Sequence, residues 1–279
     1  RKNGYQAKVL TITAKEKLCL CEEMECNPVN CPYAKGHYDR VNAAVFSLLQ
    51  KEDMITREVI LEQAKEYNVC PFEMCLDTAT WVDDIICDYN YVFDPNVYLK
   101  RFFADGTTGD YIFLVDEAHN LVERSREMYS AIIYKEDFLL AKKILKKYGQ
   151  AKLMRELEKC NRVLLSYKRE CEKYVIYESI GNFAFELMNV ASDLDEFLQK
   201  APEFPERKDL SEFYLNLRNF LNIYELLDDH YVVYAEHEQD GRFKLKLYCV
   251  DPSKNLQERI NKGNATIFFS ATLLPVGYY

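Results

Sequence analysis

The sequence lacks the phosphate-binding loop common to many nucleotide-hydrolysing proteins. None of its nine glycines lies in a G-x-x-x-x-G-K-[ST] stretch, whose backbone N–H groups cradle phosphates. It also contains no apolar run approaching the roughly 20 residues that span a membrane. Its cysteines do not form the two close pairs typical of zinc ribbons. We therefore expect a soluble protein that cannot cradle nucleotide phosphates by itself.

The composition is globular, with 48% hydrophobic, 29% charged and 14% aromatic residues among 279, and this length favours about two domains. The net charge of -9 argues against a nucleic-acid binder as a whole, yet residues 135–173 carry twelve Lys/Arg against six Asp/Glu. Such a local basic patch matters more than the mean charge, although a solvated helix face is the plainer interpretation. Ten cysteines without a secretion signal favour a reducing, cytoplasmic location.

One apolar stretch ends in two adjacent carboxylates. Ile112–Val115 is predicted to be a short strand buried on both faces, as in a parallel sheet. Asp116 and Glu117 then lie at its carboxyl end, where open α/β sheets bind ligands. The first acid would hold Mg²⁺ and the second would activate water, a division of labour typical of nucleotide hydrolysis. A solvated acidic turn is the alternative.

Seven of the ten cysteines lie between residues 15 and 90: Cys19, Cys21, Cys26, Cys31, Cys70, Cys75 and Cys87. Three of them, Cys26, Cys31 and Cys70, lie in proline-containing, turn-like surroundings, where thiolates are presented from restrained loops. The spacing from Cys19 through Cys26 and Cys31 to Cys70 leaves six, four and 38 intervening residues. This irregularity favours an iron-sulfur cluster over zinc, but thiolates bind both.

Basic and aromatic side chains accompany these cysteines, namely Lys15, Tyr33, Lys35, His37, Tyr38 and Arg40. Aromatic rings that stack on bases and cations that track phosphates hold single strands without sequence readout. An ordinary surface role is equally plausible for each residue taken singly. His37 has no evident partner and is expected to be structural.

Elsewhere the periodicity predicts a strand at 9–14 and helical structure over 38–67. One apolar stripe there contains Val41, Ala44, Val45 and Leu48, another contains Val59, Ile60 and Ala64, and Thr56 is predicted to start a helix. Apolar stripes predict four further helices between 139 and 227, one of them possible as a continuous helix over 151–177. A hairpin is predicted with strands at 231–236 and 243–250. A second strand expected to be buried on both faces begins at Ala265 and leads to Ser270 and Thr272.

Asp116-Glu117-Ala118-His119 resembles the DEAH box of superfamily 2 helicases. Together with Cys19, Cys26, Cys31-Pro32-Tyr33, Cys70-Pro71-Phe72 and Ser270-Ala271-Thr272, it resembles the XPD/DinG family of iron-sulfur DNA helicases. The resemblance implies that Cys19, Cys26, Cys31 and Cys70 hold a 4Fe-4S cluster. Cys21 competes for the first position and Cys75 for the last, whereas Cys87 is expected in the core.

The resemblance also implies site roles: Asp116 binds Mg²⁺, Glu117 is the catalytic base for ATP hydrolysis, and His119 with Ser270 and Thr272 couples hydrolysis to movement. The DNA-contacting residues would be Lys15, Tyr33, Lys35 and Arg40. The expected substrates are single-stranded DNA, followed 5' to 3', and DNA junctions. A monomer away from membranes is expected, with protein partners on the helical region.

The expected fold class is mixed α/β and mostly helical. It comprises a partial RecA-like parallel sheet with an inserted cluster domain and an inserted helical Arch domain. The domains are placed at 1–14 (motor), 15–86 (cluster), 87–122 (motor with DEAH box), 123–242 (Arch) and 243–279 (motor with motif III). The missing phosphate-binding loop predicts the central fragment of a helicase, inactive alone. The alternative is a non-enzymatic, zinc-stapled module that binds nucleic acid or protein.

Overall fold

The computed structural model describes residues 4, 6–104 and 106–272, so the outer ends of the expected domains 1–14 and 243–279 lie outside the described residues. The chain divides into two compact units, the first ending at Asp88 and the second beginning at Tyr89. About half of the residues are helical and the parallel sheets are small. This confirms the expected mixed α/β class.

The first unit contains a three-stranded parallel sheet and four helices. Its elements are β1 (Val9–Thr11), α1 (Lys15–Leu18), α2 (His37–Lys51), β2 (Met54–Ile55), α3 (Arg57–Tyr67), α4 (Pro71–Thr78) and β3 (Asp84–Ile86). The strand order is β2-β1-β3, with Leu10 opposite both Ile55 and Ile85. Because parallel strands require crossovers, the four helices lie in the connections between the strands.

Helix α2 buries the apolar stripe predicted for it, formed by Val41, Ala44, Val45 and Leu48. Its start depends on Gly36, whose φ of +68° lies in the left-handed region that favours glycine. The helical structure predicted over 38–67 is interrupted by β2, which pairs with β1. Helix α3 begins directly after Thr56, where the sequence predicts a helix start. The short strand between the two helices is not predicted from the sequence, because its pairing partner β1 is distant in the sequence.

The second unit contains two sheets and eight helices among its described residues. Its elements are α5 (Asn90–Phe93), α6 (Lys100–Phe103), β4 (Ile112–Val115), α7 (Leu121–Met128), β5 (Ala131–Tyr134), α8 (Lys135–Lys147), α9 (Ala151–Glu170), β6 (Tyr174–Tyr177), α10 (Gly181–Lys200), α11 (Arg207–Tyr224), β7 (Tyr231–His237), β8 (Phe243–Cys249), α12 (Ser253–Ile260) and β9 (Ala265–Phe268). Strands β4 and β9 form a parallel pair, and β5-β8-β7-β6 form an antiparallel sheet.

The prediction that β4 is buried on both faces is wrong for the described residues. Ile112 and Leu114 are 64% and 66% exposed, whereas Val115 is only 4% exposed. Strand β9 is likewise not buried on both faces, since Ile267 is 53% exposed. Val115 packs with Phe93, Ala118 and Leu121 in a small core. Within the described chain, a sheet of two strands thus buries one side of β4 and leaves the alternate side chains open.

Helices α8 to α11 and the antiparallel sheet share one large core, which includes Leu157, Leu187, Leu217 and Phe220. The prediction of a continuous helix over 151–177 is wrong, because α9 ends at Glu170 and the strand β6 follows. Aromatic and β-branched residues of β6 suit a strand, and β6 pairs with β7. None of the helices in the described parts of the chain is long and apolar enough to cross a membrane.

Candidate functional site at the end of the parallel strand pair

Two exposed carboxylates lie where β4 ends. Glu117 has a left-handed backbone with φ 48° and ψ 41°, a conformation that costs energy for a residue other than glycine and is found at functional sites. Its N–H donates to Oδ1 of Asp116 at 2.7 Å. The Tyr89 hydroxyl donates to the Asp116 carbonyl oxygen. The strained turn is therefore held on both sides of the Asp116–Glu117 peptide.

The parallel register brings the end of β9 beside this turn. Val115 lies opposite Phe268, and pairing continues past both strands. The Phe269 N–H donates to the Val115 carbonyl at 3.0 Å, and the Ala118 N–H donates to the Phe269 carbonyl at 3.1 Å. Ser270 is consequently placed next to the residues that follow the turn, although it is 151 positions from His119.

His119, Glu117 and Ser270 form one hydrogen-bonded group. His119 Nδ1 lies 2.8 Å from Ser270 Oγ and 3.1 Å from Glu117 Oε2. The Ser270 hydroxyl lies 3.3 Å from the same carboxylate oxygen. Since an ionised carboxylate only accepts hydrogen bonds, the ring proton belongs on Nδ1. Thr272 joins through its N–H, which donates to Ser270 Oγ at 3.2 Å.

All five residues assigned to hydrolysis and coupling are thus brought to one edge of the sheet. Asp116 is exposed, and such a carboxylate can serve as an oxygen ligand for Mg²⁺. The Glu117 carboxylate is oriented by His119 and Ser270, as a group that positions water must be. A displacement of Ser270 would therefore directly change the hydrogen bonds of the Glu117 carboxylate.

A second candidate site lies in the first unit, where five cysteines line one cavity of about 280 Å³. These are Cys19, Cys21, Cys26, Cys31 and Cys70. Cys19 follows α1, Cys26 and Cys31 lie in the loop before α2, and Cys70 precedes Pro71 at the start of α4. The structure therefore brings together all four predicted cluster ligands from three separate chain segments.

The two competing cysteines are placed differently. Cys21 lines the cavity, with its Sγ 3.8 Å from that of Cys31, and burial together with this thiol raises the pKa of Cys21 to about 11. Cys75 is fully buried and is not among the lining residues. Cys87 is not a lining residue either, and burial raises its pKa to about 11. Cys21 therefore remains a competitor for the first position, whereas Cys75 lies outside the cavity.

The five cysteines that line the cavity supply soft sulfur donors, the ligand type of both zinc sites and iron-sulfur clusters. Among the described residues, no group of three or more His, Cys, Asp or Glu side chains is arranged to hold one metal ion. Thiolates around a four-iron cluster stand farther apart than those around one ion, because the cluster itself separates them. An open cavity lined by soft sulfur donors suits that chemistry.

His37, expected to be structural, also lines the cavity. It is only 3% exposed, and its Nδ1 accepts a hydrogen bond from the Cys70 N–H at 3.2 Å. Burial lowers the pKa of His37, which favours the neutral ring. Sequence reasoning missed this contact because Cys70 is 33 positions away, and no local pattern signals such a pair.

The residues predicted to contact DNA lie in different structural surroundings. Lys15 and Tyr33 line the cavity, and the Lys15 ammonium lies 5.6 Å from the Phe72 ring centroid. Arg40 donates from Nη2 to the carbonyls of Lys35 at 2.7 Å and Asn68 at 2.6 Å. These backbone contacts hold the loop before α2 against the end of α3. Arg40 thus has an evident structural role beside its predicted one.

Comparisons with known proteins find similarity over parts of this chain. Residues 5–138, which include the cysteines of the cavity and the DEAH sequence, match the family model DEAD_2. The regulator of telomere elongation helicase 1 homolog of Anopheles gambiae is 26% identical over 128 residues, which are 45% of this chain and 12% of that protein. The chain thus spans about an eighth of this curated relative.

One solved structure shows a likeness in fold. A structure described as "Truncated XPD" matches with a TM-score of 0.53 and 19% identity, covering 99% of this chain and 76% of that one. One described as "XPD_Helicase" matches with a TM-score of 0.49 and 18% identity, covering 95% of this chain and 45% of that one. The chain is therefore similar in fold to the truncated XPD structure, and its residues 5–138 match the DEAD_2 family model.

Proposed function

We propose that this chain is the central part of an ATP-dependent DNA helicase. The observation that carries the proposal is the group formed by Glu117, His119 and Ser270, in which Nδ1 of His119 contacts both the carboxylate and the hydroxyl. A solvated acidic turn would require neither the nearby His119 nor Ser270, which follows the second strand, at hydrogen-bonding distance. The match of residues 5–138 to the DEAD_2 family model and the similarity to a telomere elongation helicase homolog support the same function.

In this proposal the residues divide the work of hydrolysis. Asp116 binds Mg²⁺, which when bound neutralises charge on the phosphate oxygens of ATP. Glu117 orients the attacking water and accepts its proton. Since the sequence contains no G-x-x-x-x-G-K-[ST] stretch, a longer polypeptide would supply the loop that cradles the phosphates. The chain on its own is then expected to hydrolyse no ATP.

Ser270 is proposed to transmit the state of the nucleotide site. It contacts His119, Glu117 and Thr272 and lies two residues after the end of β9. A change at the phosphate would alter the hydrogen bonds of Glu117, and the segment containing Ser270 and Thr272 would move with it. Strand movement along DNA requires a coupling of this kind.

The cluster region and helical region are proposed to guide single-stranded DNA in the 5' to 3' direction. Cys19, Cys26, Cys31 and Cys70 would hold a 4Fe-4S cluster with a structural role. Lys15, Tyr33, Lys35 and Arg40 would contact the strand, and DNA junctions and protein partners on the Arch belong to the same proposal. The protein is proposed to act in the cytoplasm as a monomer.

The domain limits are refined in the same proposal. Strand β8 pairs with β5 and β7 and contributes Phe243, Leu245 and Leu247 to the large core. We therefore propose that the Arch extends to Cys249, beyond the expected limit at 242. Strand β1 pairs with β2 and β3, so we propose that residues 9–14 group with the cluster region.

The test is Glu117→Gln in the longest natural polypeptide that contains this chain. ATP turnover stimulated by single-stranded DNA is expected to fall at least about 100-fold, because general-base catalysis contributes about 10²–10⁴. Glu123→Gln is the control, since Glu123 is exposed on α7 and pairs with Arg126. Unchanged turnover after Glu117→Gln would overturn the proposed catalytic role.

Elemental analysis of the chain purified without oxygen distinguishes the helicase proposal from the alternative, a zinc-stapled interaction module. The helicase proposal predicts about four irons and four sulfides per chain. One zinc and no acid-labile sulfide would instead favour the interaction module.

A further inference from the structure

His37 is tied to Cys70 in a way that fixes which ring nitrogen carries the proton. The Cys70 N–H donates to Nδ1 at 3.2 Å, so Nδ1 acts as the acceptor. In a neutral imidazole the other nitrogen is then the donor. The proton therefore lies on Nε2. Gly36, with its left-handed backbone, immediately precedes His37, which is the first residue of α2.

The Nε2 donor has no hydrogen-bond partner among the described residues, although the atom is buried. The whole residue is only 3% exposed, which limits the access of bulk water to this donor. Buried donors in native proteins are normally satisfied, and an orphaned one requires an explanation such as a bound group. His37 lines the cavity that also contains the five cysteines, so a group held there would lie beside it.

We propose that Nε2–H of His37 donates a hydrogen bond to a sulfur of the iron-sulfur cluster, either an inorganic sulfide or a ligating thiolate. This inference rests on the proposed function, which places the cluster in the cavity. His37 is a positioning residue and not a ligand. Ligation through Nε2 would require that nitrogen to lose its proton, and the neutral ring already uses Nδ1 as an acceptor for Cys70.

The consequence is a higher reduction potential of the cluster. Reduction adds negative charge to the sulfurs, so a hydrogen-bond donor stabilises the reduced state more than the oxidised state. Because the same ring accepts from Cys70, it also fixes the backbone at one ligand. His37 would thus contact the backbone of the proposed ligand Cys70 through Nδ1 and a cluster sulfur through Nε2.

The test is a redox titration of the cluster in the whole chain, followed by visible absorption and by electron paramagnetic resonance. His37→Phe keeps an aromatic ring but removes the donor, and it is expected to shift the equilibrium about tenfold toward the oxidised cluster, a fall of about 59 mV for one electron. His37→Gln, whose amide can accept from Cys70 and donate as well, is expected to restore most of the potential.

The matched control is Gln63→Met. Gln63 is also buried in the first unit and donates to the Ala44 carbonyl at 2.9 Å, but it is not a lining residue of the cavity. The variant should lower stability without moving the potential. A His37→Phe protein that carries a full cluster at the wild-type potential would overturn the inference.

A measurement on the wild-type chain tests the inference even if the His37 variants lose the cluster. Histidine labelled with ¹⁵N is incorporated and the reduced cluster is examined by pulsed electron paramagnetic resonance. A coupled histidine nitrogen is expected, and its absence in protein that contains the cluster would overturn the inference. If the wild-type chain binds no iron or sulfide, the proposed cluster fails first, and iron analysis shows this independently of His37.

Discussion

Cys70 combines three local features that a cluster ligand needs. It precedes Pro71 at the first position of α4, where proline suits the helix start. Its thiol is half-buried in the cavity, and its N–H is held by His37. Burial raises the pKa of the Cys70 thiol.

At this scale the first prediction contrasts two neighbouring cysteines. Cys70→Ser is expected to remove most of the iron and sulfide, because one of four thiolates is lost. Cys75→Ala should keep about four irons per chain, since Cys75 is fully buried outside the cavity and burial raises its pKa to about 12. Iron and sulfide analysis of both purified variants checks this.

Loss of iron in Cys75→Ala with normal iron in Cys70→Ser would assign the last ligand to Cys75 instead. A far-ultraviolet spectrum of each variant serves as the control, because a chain that fails to fold would lose the metal for another reason. Both substitutions change one sulfur atom in the same short helix region, so they are closely matched.

Among the elements, α11 shows how one helix serves core and surface. Leu217 is fully buried in the large core, while Leu215, on the same helix, is 63% exposed. Leu210, Phe213, Phe220 and Leu221 continue the buried face. The helix also carries Asn219 and Asn222, which exchange side-chain amide hydrogen bonds with Asn96 at 2.8 Å. One amphipathic helix therefore anchors the helical core and contacts the segment before α6.

The element-scale prediction uses those two leucines. Leu217→Ala is expected to lower the free energy of unfolding by about 3 kcal/mol, because a buried leucine loses transfer energy and leaves a cavity. Leu215→Ala should change it by less than about 0.5 kcal/mol, as usual for surface substitutions. Urea unfolding followed by circular dichroism compares them. Equal effects would mean that α11 packs through another face.

For the molecule as a whole, the parallel strand pair carries open apolar side chains. Ile112 and Leu114 of β4 and Ile267 of β9 are all more than half exposed. Parallel sheets are normally covered on both faces. If this chain is the central part of a helicase, as proposed, further structure of the longer polypeptide is expected to cover these side chains.

The corresponding prediction concerns the chain by itself. It should bind a hydrophobic fluorescent dye such as ANS, which reports exposed apolar surface. The double variant Ile112→Thr and Leu114→Thr should bind clearly less dye while keeping its circular dichroism spectrum. The control is Leu139→Thr, since Leu139 is 41% exposed on α8, away from the strand pair. Equal dye binding by all three proteins would contradict this expectation.

Much of the candidate site could be predicted because its chemistry is encoded locally. Asp116, Glu117 and His119 follow an apolar strand within a few positions, and Cys26, Cys31 and Cys70 lie beside prolines or turns. The helical stripes of α2, α8, α10 and α11 were also visible, since their apolar residues repeat with the helical period. These features depend on neighbours in sequence, which a single chain displays directly.

Other features depended on residues far apart. The end of α9 at Glu170, the exposure of Ile112 and the partner of His37 all follow from pairings or packing that no local window contains. Pairing of β6 with β7 competed with helix continuation, and β4 found only β9 beside it among the described strands. The residue types and their order thus determined the chemistry available to this protein. Tertiary structure alone decided which groups meet, because hydrogen bonds such as His119–Ser270 and His37–Cys70 join atoms that only folding brings within reach.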